Sequence, residues 1–459
     1  MAPWKTPVNG AEDRVGLWFV LLGLVSLLGG LLFGTIGAFQ FLFPDFLAQL
    51  PFFTSRPLHV SMVVAWIFLT AIGGIYYYLP DGCGLGLFSS RMARLHFWLF
   101  LLTGLVILGC YFAGRFGGRE YWEFPAALSI PILVSWVLFG INYFLTVRQR
   151  RGAWPVYFWM WGTGIVFFFL AFSESYLWVF PYFRENMVRE LTVQWKSNGS
   201  LVGSWNMLVY GTAIFMMEKI SGDERMARSK LSFSVYFLGL TNLMFNWSHH
   251  TYPIPSAQFI RTLGYTISMT ELLLLWKIMW SWRQSLSTYR KYCHRTAYLF
   301  MFASEVWIFL NLALAIAISI PAVNLITHGT HITVAHAMGS MIGINSMILL
   351  ASVFYMAESR LGSELPARFS IPARSGLWLT NASLAVFWLA LIIAGLGKGT
   401  YAGSSFQEMM VLIRPYLLVF AVSGIGVMLG LSLILGTGVP LIYALGFSRR
   451  RQVAAAMSA

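Results

Sequence analysis

Long apolar runs separated by short polar or charged stretches dominate this chain. A run of about 20 apolar residues is what an α-helix needs to cross the hydrocarbon core of a bilayer. The pattern therefore predicts an all-α polytopic membrane protein with twelve spans. We place them at roughly 17–42, 58–80, 94–114, 124–147, 153–175, 197–218, 229–248, 259–282, 296–319, 333–357, 375–396 and 410–436. The first run is too long for a cleavable signal peptide and is expected to be the first span.

The composition agrees with this pattern. The 459 residues are 58% hydrophobic and 10% charged, with a mean hydropathy of +0.69, values that are typical of a membrane protein and exclude a soluble domain. We find no internal repeat and no soluble domain, so residues 1–459 are expected to form a single integral membrane domain. Three widely separated cysteines form no ligand motif, so neither a disulfide framework nor a zinc site is predicted.

The net charge of +14 could suggest a nucleic-acid partner, but its distribution favours another explanation. Most of the 31 Lys and Arg residues fall at the N-terminus, in the even-numbered loops and at the C-terminus. The positive-inside rule then predicts that both termini are cytoplasmic. The charge is therefore interpreted as a topology signal with no nucleic-acid binding. A basic patch for anionic lipid is the weaker alternative.

This orientation brings most of the histidines to one side of the membrane. Polar and metal-binding side chains inside a membrane are costly and suggest function. Scattered structural histidines would not be expected to segregate, so the sequence favours a metal cofactor site on the outer side. His96 and His294, near the basic ends, are expected to be ordinary interfacial residues. The six outer histidines of the eight in the chain are His59, His249, His250, His328, His331 and His336.

Two candidate ligands lie two positions apart at the start of the tenth predicted span. On a helix with ~100° per residue, His336 and Met338 point about 200° apart. They cannot bind one metal, but they can bind two haems on opposite flanks of the helix. Histidine and methionine both ligate haem, and a His/Met pair has a higher potential than bis-His. His59 is a further candidate axial ligand. The alternative is a polar cap of His328 and His331 before a packed methionine.

His249 and His250 are adjacent in the stretch Asn246-Trp-Ser-His-His. Neighbours on a regular helix diverge by ~100°, so they can share a metal only where the helix ends. Pro253 and Pro255 indicate that it does end there. The alternative is a polar helix terminus without a metal.

An ordered set of motifs then carries a family resemblance. The motifs are Arg56-Pro-Leu-His59 followed by Tyr76-Tyr-Tyr-Leu-Pro80, Gly118-Arg-Glu-Tyr-Trp-Glu-Phe-Pro125, Lys219-Ile-Ser-Gly, His249-His250 with Glu271, and Thr327-His-Gly-Thr followed by Ala335-His336. With them, nearly the whole chain resembles the catalytic large subunit of bacterial nitric oxide reductases, within the haem–copper oxidase superfamily. The resemblance implies a subunit I-like bundle of twelve helices.

The resemblance also implies cofactors and their ligands. His59 would bind a low-spin haem b, and His336 would be the proximal ligand of a high-spin haem b3. His249 and His250 would hold a non-haem iron, with the Glu271 carboxylate beside it. Two further acidic residues, Glu120 and Glu123, resemble the pair near the haem propionates and a structural calcium, although a solvated loop is the alternative.

Four positions depart from the family pattern. Met338 stands where the family has the second low-spin haem ligand, a histidine, so we predict a haem with His59 and Met338 as axial ligands. Asn198 stands where the family has a third iron histidine, and Val202 and Asn206 stand where it has two glutamates. The second metal is then either held by His249, His250, Asn198 and Glu271, because two histidines and a carboxylate are a common ferrous site, or absent.

These features favour an enzyme that converts NO to N2O in the bacterial inner membrane. The chain has no Cys-x-x-Cys-His motif, so its electrons would come from a separate protein such as a membrane-anchored cytochrome c subunit. An NO dismutase is a variant, because such enzymes also replace an iron-site histidine by asparagine. A non-catalytic haem paralogue for electron transfer or NO sensing is a further alternative.

Two other functions are disfavoured. Oxygen reductases use three copper-binding histidines and a tyrosine one turn after the first, where this chain has Asn198 and Val202. A transporter could line a path with residues in or near the spans, but it needs no outer histidine cluster. The candidates are Glu174, Glu271, Glu305 and Arg414.

Overall fold

The computed structural model describes residues 12–255, 257–287, 291, 293–361 and 363–447. For residues 12–13 and 271–275 it describes the backbone alone. The described residues are almost entirely helical and contain no strand, apart from an isolated bridge between Arg119 and Trp122. The predicted all-α membrane fold is therefore confirmed.

The helices follow one another with short connections. In chain order they are α1 (Glu12–Leu42), α2 (Phe52–Cys83), α3 (Ser90–Phe112), α4 (Ser129–Arg148), α5 (Val156–Glu174), α6 (Pro181–Arg184), α7 (Met187–Ser221), α8 (Lys230–Phe245), α9 (Gln258–Ser268), α10 (Glu271–Ser285), α11 (Arg295–Ser319), α12 (Pro321–Thr327), α13 (His331–Met338), α14 (Met347–Leu361), α15 (Ala367–Gly399) and α16 (Phe406–Phe447). A π-helical segment, Gly339–Ser346, joins α13 to α14 without a break.

In the described part of the chain, ten helical stretches are long and apolar enough to cross a membrane. Ten of the twelve predicted spans correspond to them. The predicted span 229–248 is the 16-residue helix α8 followed by a 3-10 turn, and the predicted span 259–282 is divided into α9 and α10. The count of twelve is therefore not confirmed.

Helix α2 lies at the centre of the bundle. Its Trp66 donates a hydrogen bond from Nε1 to Ser346 Oγ at 2.9 Å, which joins it to the π segment before α14. Its Phe68 packs edge-on against Trp205 of α7, with ring centroids 5.8 Å apart. The candidate ligands of α2 and α7 are thus carried by helices that contact each other directly, and α2 is also bonded to the π segment that follows the candidate ligands of α13.

The π segment begins immediately after the two candidate ligands of α13. Asn345 donates to the backbone oxygen of Ser340 at 3.0 Å, and Ser346 Oγ donates to that of Met341 at 2.8 Å. Both are side-chain bonds to the carbonyl five residues back, in a segment whose backbone has the wider π turn. Segments of this kind are rare and often lie at functional sites. The sequence pattern did not predict it.

The structure corrects the expectation for His96. Its side chain is fully buried, and its Nδ1 lies 3.1 Å from the Tyr76 hydroxyl between helices α2 and α3. His96 is therefore a core residue and not an interfacial one.

Candidate metal centre

The paired histidines lie on a short 3-10 turn, Asn246–Thr251, directly after α8. The α-helix ends before the pair, as the following prolines indicated, and the two imidazole rings come within 4.2 Å between centroids. His249 Nδ1 lies 3.2 Å from Asn246 Oδ1, which also accepts a hydrogen bond from Ser268 of α9 at 2.5 Å. Helix α9 therefore braces the turn that carries both rings.

Other side chains gather around this pair. Trp195 of α7 stacks on His250 with centroids 4.8 Å apart and ring planes only 6° apart. The His328 ring lies 5.9 Å from that of His250 and 5.7 Å from that of Trp195. His336 of α13 is within electrostatic range of both His249 and His250. Histidines from three separate elements thus converge at one end of the bundle.

Several ring nitrogens in this cluster have no hydrogen-bond partner. Nδ1 of His250, Nε2 of His328 and Nδ1 of His336 are buried and unpaired among the described residues. A buried polar atom without a partner is costly, and native proteins usually satisfy it with water, an ion or another group. Burial also lowers the pKa of His328, which keeps its ring neutral as a metal ligand requires. The cluster therefore offers unpaired, neutral donor atoms of the kind that a metal binds.

The described side chains do not form a closed ligand set. Within the described ranges, no three His, Cys, Asp or Glu side chains are arranged to hold a metal ion. The side chain of Glu271, the expected carboxylate, lies outside the described residues, although its backbone begins α10.

The three departures on α7 face the same region. Asn198 is buried and follows Trp195 by three residues, so the two share a helix face. Val202, one turn further, packs partly buried against the core. Asn206 Oδ1 is buried and has no partner among the described residues. Asn198 lines a small pocket with Arg119 and Trp178, and its role as a metal ligand stays a prediction. Val202 has no proton to donate.

His59 is anchored to the neighbouring helix α1. Its Nδ1 lies 2.7 Å from the Gly30 backbone oxygen, which fixes the ring and leaves Nε2 for a metal. A Cβ at Gly34 would lie 2.6 Å from the same Nδ1, so a larger residue would displace the ring. This arrangement suits an axial haem ligand.

Met338 and His336 both lie in the regular helix α13, so the angle of about 200° between them applies. Trp66 follows His59 by seven residues and bonds to Ser346, which follows Met338 by eight. At ~1.5 Å per residue, His59 and Met338 each lie roughly 10–12 Å along their helices from that bond. The two side chains are therefore at a similar depth, as the two ligands of one haem must be.

The acidic pair in the loop after α3 is bound to the start of α2. Arg56 donates to Glu120 Oε1 and to Glu123 Oε1, each at 2.8 Å. Glu120 remains 41% exposed, whereas Glu123 is 15% exposed, and burial raises its pKa. Arg56 pairs with both carboxylates but offsets only one of their two negative charges, and the Oε2 atom of Glu123 is buried without a partner among the described residues. The two ion pairs therefore attach the loop to Arg56, which precedes His59 by three residues. A calcium-binding role for the two glutamates stays a prediction.

Two contributors to the cluster were missed from sequence. The one sequence signal for Trp195 was its spacing of three residues from Asn198, which puts both side chains on the same face of α7. His328 was counted among the outer histidines that favour a metal site, but it was given no ligand role, and the alternative for its motif was a polar cap.

Comparisons with known proteins support the family. A nitric oxide reductase subunit of Stutzerimonas stutzeri is 25% identical over 419 residues, which cover 86% of this chain and 86% of the relative. A cbb3-type cytochrome c oxidase subunit of the same organism is 20% identical over 398 residues, with coverages of 83% and 82%.

A heme-copper terminal oxidase dimer solved by cryo-EM shares the fold, with a TM-score of 0.78 and 15% identity, over 96% of this chain and 85% of the other. The family model described as cytochrome c and quinol oxidase polypeptide I matches residues 14–426. Because the match covers most of the sequence, the chain belongs to the cytochrome c and quinol oxidase polypeptide I family of membrane oxidoreductases.

Proposed function

We propose that this protein reduces NO to N2O in the bacterial inner membrane, as a step of denitrification. The observation that carries the proposal is the convergence of His249, His250, His328 and His336 from separate elements, with unpaired ring nitrogens on three of them. The nitric oxide reductase relative, matched over 86% of both chains, supports it. The haem b, haem b3 and non-haem iron assignments are parts of the same proposal.

Each ligand has a task in this scheme. His59 and Met338 hold the haem that receives electrons from a cytochrome c subunit or another donor protein, and His336 holds the haem at the reaction site. His249 and His250 would hold a second metal, which would supply polarisation and charge stabilisation for the joining of two NO molecules. The reaction takes up two electrons and two protons and releases N2O and water.

The protons need a source other than the two α7 positions where the family has glutamates. Val202 cannot transfer a proton, and the unpartnered Asn206 Oδ1 can hold only a water molecule. Glu271 at the start of α10 is the remaining carboxylate that the resemblance places beside the metal. We propose it as the proton donor.

Isotopically labelled NO, supplied without oxygen to the purified haem-loaded protein with an artificial reductant, tests the proposal. The expected result is labelled N2O, formed only when the reductant is present. Labelled N2 and O2 formed without reductant would instead establish a dismutase, and reductant-driven O2 consumption without N2O would establish an oxygen reductase. No turnover by a protein that retains both haems would leave electron transfer or sensing, and would overturn the proposal.

A further inference from the structure

A carboxylate is buried within helix α11, one of the helices long and apolar enough to cross a membrane. The side chain of Glu305 is only 3% exposed, and its Oε2 accepts from Arg283 of α10, from Nε at 2.7 Å and from Nη2 at 2.6 Å. Its Oε1 is buried without a partner among the described residues. Ionisable side chains inside a membrane span are costly and suggest function. The ion pair accounts for only one of the two carboxylate oxygens.

Glu305 also lines an apolar cavity of about 50 Å³ between α7, α8, α10, α11 and α14. The other lining side chains are aliphatic or methionine, except for Tyr210 and Ser304. An ionised carboxylate is stabilised beside a guanidinium, whereas apolar surroundings tolerate a carboxyl only in its neutral, protonated form. The two sides of Glu305 therefore favour its two protonation states, as a group that takes up and releases protons requires.

Three buried amide oxygens without a partner among the described residues lie near this cavity. They belong to Asn206 of α7, Asn311 of α11 and Asn345 of the π segment. Each is three or four residues, about one helical turn, from a side chain of the lining. A Cβ at Gly339 would lie 2.3 Å from Asn311 Oδ1, and Gly339 follows His336 by three residues. Because proteins usually satisfy such oxygens with water, these amides provide polar contacts in the direction of His336.

We propose that Glu305 relays protons to the reaction site. It takes up a proton beside Arg283, whose side chain is 40% exposed at the end of α10, and releases it on the cavity side. The backbone of Glu271, the proton donor proposed above, lies about 10 Å along α10 from Ile278 of the lining. Each release leaves Glu305 ionised beside Arg283 and ready for the next proton, so two such cycles supply the two protons consumed for each N2O. The inference rests on the proposed function, because that reaction consumes the protons.

Single-turnover kinetics of the full-length, haem-loaded protein test the relay. Reduced protein is mixed with NO without oxygen, a pH-indicator dye follows proton uptake, and haem absorbance follows NO binding. Glu305→Gln keeps the shape of the side chain but cannot carry a proton. We expect it to slow proton uptake and N2O formation at least about tenfold, since a positioned acid or base contributes on the order of 10²–10⁴-fold. NO binding should keep its wild-type rate, which a general loss of packing would not allow.

Glu364→Gln is the matched control. Glu364 also pairs with an arginine, Arg374, but it does not line the cavity. This variant should take up protons as the wild type does, and the haem absorbance shows that both variants are folded. Wild-type proton uptake in Glu305→Gln would overturn the relay. An equal slowing of NO binding and proton uptake, or an equal loss in Glu364→Gln, would overturn it as well, because either result indicates a structural role.

Infrared difference spectra of the reduced and oxidised protein separate the relay from the function, because they require no turnover. If Glu305 exchanges its proton when the haems are reduced, the wild type and Glu364→Gln show a carboxyl band that Glu305→Gln lacks. This band in a protein that forms no N2O would leave the proton exchange of Glu305 and overturn the function. N2O formation at the wild-type rate by Glu305→Gln, without such a band in the wild type, would leave the function and overturn the relay.

Discussion

As the proposed axial ligand, Met338 would set the reduction potential of the electron-accepting haem. In a His59/Met338 pair, the thioether would stabilise the reduced iron relative to a second imidazole, so the potential would rise. We predict that Met338→His lowers the midpoint potential of this haem by tens to a few hundred millivolts, within the ~0.8 V range that axial ligands set. A redox titration followed by optical absorption measures the shift, and low-temperature EPR should change to a bis-His signature.

Met341 supplies the control for this substitution. It is partly buried on the π segment, three residues from Met338, and packs against the same core. Met341→His adds the same imidazole where no ligand is predicted, so the potential should stay as in the wild type. An unchanged potential in Met338→His, or an equal shift in both variants, contradicts ligation by Met338.

Sequence and structure contributed different parts of the candidate site. The roles proposed for His59 and for the His249–His250 pair followed from motifs and helix-end signals that are local in the chain. The contact between Trp195 and His328 could not be predicted, because it joins the face of α7 to a turn more than 130 residues later. The packing of the whole bundle determines which faces of two helices are in contact, and the hydropathy pattern does not specify that packing.

At the scale of elements, the π segment connects the proposed haem ligands of α13 to the packed helix α14. Gly343 lies inside it, and a Cβ there would be 2.4 Å from Trp307 Cγ of α11. The tryptophan is held in place by a 2.7 Å hydrogen bond from its Nε1 to Asn381 Oδ1, so it cannot easily move. Overpacking of this kind typically costs about 1–3 kcal/mol.

We therefore predict that Gly343→Ala lowers the thermal stability of the protein and shifts the haem absorption bands. The strain falls four residues after the start of the segment that follows His336 and Met338. Gly104→Ala in α3 is the matched control, since a Cβ there meets nothing within 4 Å. It should be neutral or slightly stabilising. Thermal loss of haem absorbance in detergent measures both, and equal behaviour of the two variants would contradict the close packing at Gly343.

At the scale of the whole molecule, the length of the apolar runs was enough to predict an all-α membrane fold. It was not enough to predict whether each run forms one continuous helix. Helices such as α2 and α16 leave no ambiguity because their runs are long and continuous. The predicted span 259–282 is interrupted at Met269 and Thr270, where neither proline nor glycine marks a break. A count of apolar residues cannot detect such a break. Whether the chain crosses the membrane twelve times or ten times is therefore decided by the side on which each loop lies.

The connection between α8 and α9 lies on the outer side if there are twelve spans and on the cytoplasmic side if there are ten. Gln258 is exposed at the start of α9. If α8 crosses the membrane, Gln258 lies on the outer side with the histidine cluster. If α8 does not cross, Gln258 lies on the cytoplasmic side. In a background without the three native cysteines, we predict that Gln258→Cys reacts with a membrane-impermeant maleimide in intact spheroplasts. Ala402→Cys, in a predicted outer loop, should react likewise, and the exposed Glu224→Cys, in a predicted cytoplasmic loop, only after permeabilisation. Labelling of Gln258→Cys only after permeabilisation would establish ten spans, and would place the turn of His249 and His250 on the side opposite to that required for a shared site with His336.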